Sequence, residues 1–352
     1  MRRLWVAAAS LALAACSGAQ AAQPSPEGRP AAPAASTSAV TLAFGGDVHF
    51  DGDLARLLDG DDGLAELRPL LGGADVAVVN LETSITDRGA PEPKTYHFRT
   101  SPKAPSTLAK AGVDVLSMAN NHAVDYGPLG LQDTLTAKAA SPVPVVGVGR
   151  DATEAFAPAV VQAKGLSIAV IGSTQVNDLT VNKFPASDSA AGVAGNLKSN
   201  DRLLAAVTDA VARYDVVVVF LHWGTDYESC PDGRQVATAK ALEAAGADII
   251  VGGHAHRVQG SGWLGRAYVG YGLGNFVWNN RRGEAEKRSG VLTVSVDAAA
   301  ALDRRGSDAA ARAQRASIVT AAAYTPLQVS DADGIPRPPK DPAALQQAWE
   351  QA

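Results

Sequence analysis

At 352 residues, with 46% hydrophobic side chains, the chain can bury the core of one large or two modest domains. A formal net charge of −5 argues against the concentrated cationic surface that phosphate-backbone binding needs, so no nucleic-acid partner is expected. Cys16 and Cys230 are the only cysteines, which excludes a disulfide-built scaffold and leaves stability to the core.

The first stretch is not part of the fold. Arg2 and Arg3, an apolar run over 4–12 and Leu13-Ala14-Ala15-Cys16 read as a secretory signal ending in a lipobox. The pattern resembles the leaders of bacterial lipoproteins. That implies a lipidated Cys16 and an exported chain, anchored in the cell envelope, whose soluble domain lies outside the cytoplasm. Lipid on Cys16 would leave Cys230 a lone thiol. The expected organisation is a leader over 1–16, a disordered linker rich in Ala, Pro, Ser and Gly over 17–39, a single main domain over 40–328 and a polar tail over 329–352.

The domain opens with a β-prone run over 40–44, which breaks at Gly45-Gly46 into Asp47-Val48-His49. Residues 64–71 have helical spacing, and 76–79 form a second buried strand ending at Asn80-Leu81-Glu82. A short extended segment or flap over 94–99 and a short helix over 105–112 precede a third strand over 113–118, which delivers Asn120-Asn121-His122. A helix over 129–140 and strands over 143–148 and 166–171 follow. Residues 177–199 lack periodicity and read as a surface excursion near the site, and 201–213 as an amphipathic helix.

Residues 216–221 give the strongest strand signal, with His222-Trp223-Gly224 directly after it. A helix over 234–245, closed by Gly246, leads into Ile249-Ile250-Val251-Gly252-Gly253-His254-Ala255-His256. Strands over 267–270 and 290–296 flank a loop carrying Gly274-Asn275-Phe276. Past 298 the sequence is Ala-rich, with one further strand signal over 318–324. There is no internal repeat and no second apolar stretch long enough to span a bilayer.

Strands alternate with helices, and five strands end in groups suited to metal binding or proton transfer. In an α/β sheet such ends share one edge, where residues distant in sequence can converge. Asp47, His49, Glu82, Asn121, His122, His222, His254 and His256 form the candidate set. Imidazole, carboxylate and amide without thiolate favour zinc, manganese or iron over calcium or magnesium. The number of candidate ligands exceeds the four of a closed tetrahedral site, pointing to two ions or one open site. His122 is read either as a ligand or as a metal-free general acid. Lys94, Arg99, Arg257, Arg281 and Arg282 read as solvated surface cations with the capacity to receive an anionic substrate. His97, away from a strand end, reads as structural.

Gly46-Asp47, Asn80-Leu81-Glu82, Ala119-Asn120-Asn121-His122, His222-Trp223-Gly224, Gly246-Ala247-Asp248, Gly253-His254-Ala255-His256 and Leu273-Gly274-Asn275-Phe276 resemble, in order, the blocks of the CapA family. These are bacterial capsule (poly-γ-glutamate) synthesis proteins with a fold related to calcineurin-like metallophosphoesterases. The resemblance implies a four-layer α/β/β/α sandwich, with Asp47, His49, Glu82, Asn121, His222, His254 and His256 holding one or two divalent ions (Mn, Zn or Fe). It further implies that His122 protonates the leaving group or clamps a phosphoryl oxygen. The phosphoesterase bridging Asp is replaced here by a strand end offering Asn80 and Glu82. Asp226 stands where CapA proteins carry a Glu after His-Trp-Gly, with Glu228 two residues on, and Asp226 is taken as the second catalytic candidate.

The function so implied is capsule polymer synthesis, export or attachment, through metal-dependent hydrolysis or transfer at an anionic polymer or phosphate ester, with capsule-synthesis membrane proteins as partners and the membrane reached through the lipid anchor. The alternative is a non-catalytic envelope assembly or binding subunit that retains the fold.

Overall fold

The computed structural model describes residues 39–343 apart from 61 and 280–282, together with residue 346. The expected leader and linker up to residue 38, Cys16 included, along with Arg281, Arg282 and most of 344–352, lie outside the described residues. The elements that place the site are, in chain order, β1 (Ala39–Val48), β2 (Val76–Leu81), α1 (Ala104–Lys110), β3 (Val115–Ser117), α2 (Gly127–Ala140), β4 (Val145–Val146), β5 (Ala159–Ala163), β6 (Leu166–Thr174), α3 (Asp201–Arg213) and β7 (Val216–Trp223). They continue with α4 (Gly233–Ala244), β8 (Ile249–His254), β9 (Ser261–Leu264), β10 (Ala267–Gly270), β11 (Asn275–Val277), β12 (Arg288–Asp297), β13 (Val319–Val329) and β14 (Pro336–Arg337).

These strands form two sheets. The first runs β14-β13-β12-β1-β2-β3-β4, with β11 also pairing with β1, and the second runs β9-β10-β8-β7-β6-β5. Around the site the pairing is parallel: β1 with β2 and β11, β2 with β3, β6 with β7, and β7 with β8. Parallel strands covered on both faces read as continuous apolar runs, and this is why 76–79 and 216–221 stand out in the sequence.

Side-chain alternation assigns each strand to two cores at once. Leu42 and Phe44 of β1 and Val76 and Val78 of β2 join Val218 and Phe220 of β7 and Ile249 and Val251 of β8 in a core between the sheets. The intervening Ala43, Ala77 and Val79 pack outward with Leu108 of α1 and Leu131 and Ala137 of α2. Val217, Val219 and Leu221 face the other way, with Leu203, Val207, Ala210 and Val211 of α3 and Ala239 and Leu242 of α4. The result is a four-layer α/β/β/α sandwich, as expected. Each fully buried Val, Leu, Ile or Phe contributes about 1.5–3 kcal/mol to holding the layers together.

Helix α3 spans 201–213 as its apolar spacing at i, i+4, i+7 and i+8 dictates. Helix α4 starts one residue before the expected position because Asp232 and Gln235 form a capping box at its N-terminus. Elsewhere local geometry departs from the pattern. Residues 64–71 are not one helix but a 3₁₀ turn (Ala65–Leu67) followed by one α-turn (Arg68–Leu71). The run over 143–148 is split at Gly147, whose φ of +90° turns the chain so that Val148–Gly149 pairs with Gly192–Val193 rather than extending β4. The Ala-rich region holds short helices at Ala298–Asp303 and Ala309–Ala313, and the strand after it continues to Val329 and pairs with β14.

Candidate metal centre

The carboxyl ends of β1, β2, β3, β7 and β8 carry the candidate residues, but they come from two facing sheets rather than one edge. Asp47, Glu82, Asn121 and His122 belong to the first sheet and its loops; His222, His254 and His256 belong to the second. A register shift between Phe44 and Asp47 at the Gly45-Gly46 step aims Asp47 into the interface. This depends on glycine, since a Cβ at Gly46 would stand 1.8 Å from the Gly274 carbonyl oxygen, which accepts the Asp47 N–H at 3.0 Å. Asp47 then lies opposite Asn80 on β2 and Asn275 on β11.

Two groups of donor atoms form, Glu82–His222–His254 and Asp47–Glu82–His256, and within each group the atoms lie within 4.8 Å of one another. Glu82 is common to both. His222 Nε2 is 3.4 Å from Glu82 Oε1 and 2.7 Å from Asn121 Oδ1. His256 Nδ1 is 2.8 Å from Asn275 Oδ1, whose amide in turn donates to the Glu286 carbonyl, so the ring is oriented by a residue behind it. Asp47 accepts from Asn80 Nδ2 (2.8 Å) and from the His254 backbone N–H (2.9 Å). His254 and His256 both have positive φ, +86° and +50°. Such strain in non-glycine residues persists only where the surroundings enforce it.

All of these groups are buried except His256, which is partly buried, and burial governs their charge. Glu82 is fully enclosed and neither carboxylate oxygen has a hydrogen-bond partner; His254 Nδ1 is likewise unpartnered. Buried polar atoms are otherwise almost always satisfied, so an orphaned carboxylate beside an orphaned imidazole nitrogen is what a cation site leaves behind. Burial, with Glu82 nearby, pushes the Asp47 carboxyl up to about 7; burial and Asp226 push Glu82 well above its usual range. Burial drives His222 down to about 4 and His256 to about 3, and holds His254 and His122 well below their usual value. Neutral imidazoles with available lone pairs are the ligand form.

The sign of a pH effect follows. The two carboxyls must lose their protons before a cation binds, whereas the histidines are already neutral above about pH 5. Cation affinity is therefore expected to fall, about tenfold per pH unit, as pH drops below the value near 7 at which Asp47 takes up its proton, with Glu82 adding to the fall in the same direction, as titration calorimetry between pH 5.5 and 8 would read.

His49, expected as a ligand, enters neither group. Its Nδ1 accepts the Asp51 N–H at 3.1 Å, its Nε2 lies 3.1 Å from Asn279 Oδ1, and the ring stacks on Phe98 at 4.4 Å. The two-residue spacing that would put it on the face of Asp47 fails because β1 shifts register after Asp47 and ends at Val48. Asn80 is occupied by Asp47, His222 and Asn120. His122 also stands outside both groups: its Nδ1 is 2.6 Å from Asp125 Oδ2 and its Nε2 is 3.7 Å from Glu82 Oε1. His97 Nε2 contacts the Glu92 carbonyl, a structural role. Asp226 lies 3.3 Å from His254 Nε2 and lines the cavity; Glu228 turns its carbonyl toward Gln259. Cys230 is not a free thiol, contrary to the lone thiol expected.

The groups open into a cavity of about 680 Å³ whose lining includes His122, Asp226, His254 and His256 together with Lys94, Phe98, Asp178 and Trp278. Sequence reasoning passed over Asp125 and Asp178. The i,i+3 spacing of His122 and Asp125 was the available signal for the first; nothing local marks the second.

Residues 41–280 match the family described as bacterial capsule synthesis protein PGA_cap. The chain belongs to the PGA_cap family. It is similar to the PGA biosynthesis protein CapA of Bacillus subtilis (strain 168), with 30% identity over 69% of this chain and 64% of that one. It is also similar to the capsule biosynthesis protein CapA of Bacillus anthracis, with 34% identity over 53% and 45%. The PGA_cap chain thus spans less than two thirds of the length of these relatives. Among solved structures it resembles a phosphatase from Mycoplasma pneumoniae, at a TM-score of 0.48 and 13% identity over 82% of this chain and 94% of that one. The matched span of the PGA_cap chain takes in every residue of the two metal-ligand groups.

Proposed function

We propose that this chain is a metal-dependent hydrolase or transferase of capsule (poly-γ-glutamate) biosynthesis, acting on a phosphate ester or an anionic polymer. The observation that carries the reading is Glu82, a fully buried carboxylate with two unpartnered oxygens shared by two groups of ligand-type atoms. Glu82, His222 and His254, with Asn121 beside them, would hold one divalent ion, and Asp47, Glu82 and His256 a second. Such ions supply Lewis-acid polarisation of the scissile group and stabilise charge that develops on it.

The chain's own residues do the rest. Asp125 holds the His122 ring at Nδ1, so Nε2 is the nitrogen presented to the site; with its lone pair it would first take a proton from water and then, as an imidazolium stabilised by Asp125, pass that proton to a leaving oxygen. Asp226, half-exposed at the cavity and beside His254, is placed to exchange a proton with solvent. Phe98 and Trp278 pack against His122 and His256 and keep water from their ring faces.

The membrane relation belongs to the same proposal: export through the 1–16 leader, anchoring by lipid on Cys16, which would require Cys230 to be a free thiol in the mature chain, and work beside capsule-synthesis membrane proteins. Cys16→Ala should release the chain from membranes, and its continued retention there would refute the lipid anchor. With only two cysteines in the chain, non-reducing mass spectrometry of the mature protein distinguishes lipid on Cys16 from a bond to Cys230.

For the activity, the chain from residue 24 onward is purified and its metal content measured. Hydrolysis of a generic phosphodiester and of poly-γ-glutamate is then compared between wild type and His254→Ala. Co-purifying Mn, Zn or Fe and a loss of turnover of roughly 100-fold or more in the variant are expected. Absence of any metal-restored activity would refute the enzyme and favour an assembly subunit.

A further inference from the structure

Residues 91–98 form a strap that belongs to no helix or strand, and 94–98 of it line the cavity. Two ion pairs of opposite polarity tie this strap to the 177–184 excursion: Lys183 Nζ to Glu92 Oε2 at 2.5 Å and Lys94 Nζ to Asp178 Oδ1 at 3.2 Å. Lys94 reaches further inward. Its ammonium donates to the Asn121 carbonyl at 2.7 Å and lies 2.8 Å from Asp125 Oδ1, with its side chain only 9% exposed.

A lysine ammonium has three N–H donors, and three oxygens from two loops surround this one. Two donors are taken by the Asn121 carbonyl and Asp178, and the charge is paired with Asp125 Oδ1 at 2.8 Å, so Lys94 is held by protein oxygens rather than solvated. What it touches is the back of Asp125. The other oxygen of Asp125 accepts the Phe98 N–H at 2.7 Å and faces His122 Nδ1 at 2.6 Å. Phe98 lies over the His122 ring at 4.2 Å. One edge of the imidazole is therefore fixed by Asp125 and one face by Phe98 of the strap, Lys94 contacting the first from within the second, and Nε2 is the ring nitrogen left toward Glu82.

We propose that Lys94 is a positioning residue that acts through Asp125 to hold His122 in its Nδ1–H tautomer with Nε2 presented to the cavity. The inference rests on His122 acting at that cavity as described above. Arginine suits the site poorly, because its planar fork cannot point three donors at three separately placed oxygens.

The test uses Lys94→Met and Lys94→Arg in the chain from residue 24 onward. Lys183→Met serves as a comparison that loosens the strap without touching Asp125. Nitrogen-15 imidazole NMR of the zinc-loaded chain reads the tautomer. Wild type and Lys183→Met should give one His122 species protonated at Nδ1; Lys94→Met should lose that single species, with Lys94→Arg restoring it partly. In turnover of the phosphodiester, Lys94→Met should lower kcat roughly 10- to 100-fold at a nearly constant KM and unchanged zinc content. An unchanged His122 signature in Lys94→Met overturns the proposal, as does a rise in KM at constant kcat, which would make Lys94 the substrate's cation. If Lys94→Met fails to fold, Lys94→Arg is read on the same signals, and a wild-type signature with wild-type kcat overturns the proposal. If no chain turns over substrate, the hydrolase reading fails, and the NMR signature still decides the role of Lys94.

Discussion

Glu82→Gln is expected to abolish metal binding while making the metal-free protein more stable at neutral pH. Both outcomes follow from one carboxylate that has no hydrogen-bond partner and is wholly buried. With cation present, Glu82 belongs to both donor groups, so a neutral amide in its place weakens each; affinity should fall roughly 100-fold or more, read as lost metal content after purification. Without cation, the same carboxylate is a burden whose pH dependence has a definite sign. Its folded-state pKa is raised, so its contribution does no harm below its ordinary value of 4.5 and costs stability increasingly as pH rises above that. Relief of the order of 2 kcal/mol is therefore expected in the chelated variant at pH 8 and little at pH 4, by thermal melts at both. Equal melting temperatures for the chelated pair at pH 8 would mean that Glu82 finds a partner in solution.

Gly253→Ala should do comparable damage from outside the ligand set. A Cβ there would stand 2.2 Å from Asp47 Oδ1, and that carboxylate cannot swing aside without giving up the hydrogen bonds from Asn80 and the His254 backbone. The added methyl costs about 1–3 kcal/mol in overpacking and displaces a ligand of the Asp47–Glu82–His256 group. Reduced metal content and a lower melting temperature are expected together. Gly262→Ala in β9 is the control, because a Cβ there meets nothing within 4 Å. A Gly253→Ala chain that melts and binds metal like wild type would show that Asp47 has room to move.

The layered fold was legible because its strands are buried on both faces. Val216 to Leu221 can be read as a strand without knowing its neighbours, and the residues that follow such strands had to share an edge. Which edge was harder to see. Nothing local in the sequence says that His222 and His254 face Asp47 from a second sheet rather than lining up beside it. His49 shows the limit of counting by two, which holds only while the strand continues. Asp125, Asp178 and Lys94 show a different limit. Lys94 and Asp178 meet 84 residues apart and Asp125 takes the Phe98 N–H from 27 residues away, across loops whose paths are set by ion pairs rather than by any periodic pattern, although the spacing of Asp125 from His122 was a local signal. The excursion over 177–199 looked featureless for the same reason, although it supplies Asp178 to the cavity wall.

The contact between Asp47 on β1 and the His254 backbone joins residues 207 apart in the chain, one on each sheet. Neither half of the sandwich holds a complete donor group, since Glu82 comes from the first and His222 and His254 from the second. A cation bound by either group would therefore be captured late in folding, after nearly the whole domain has been made and its two sheets have closed on each other. Such an ion would fasten the first strand of the domain to a strand more than two hundred residues later.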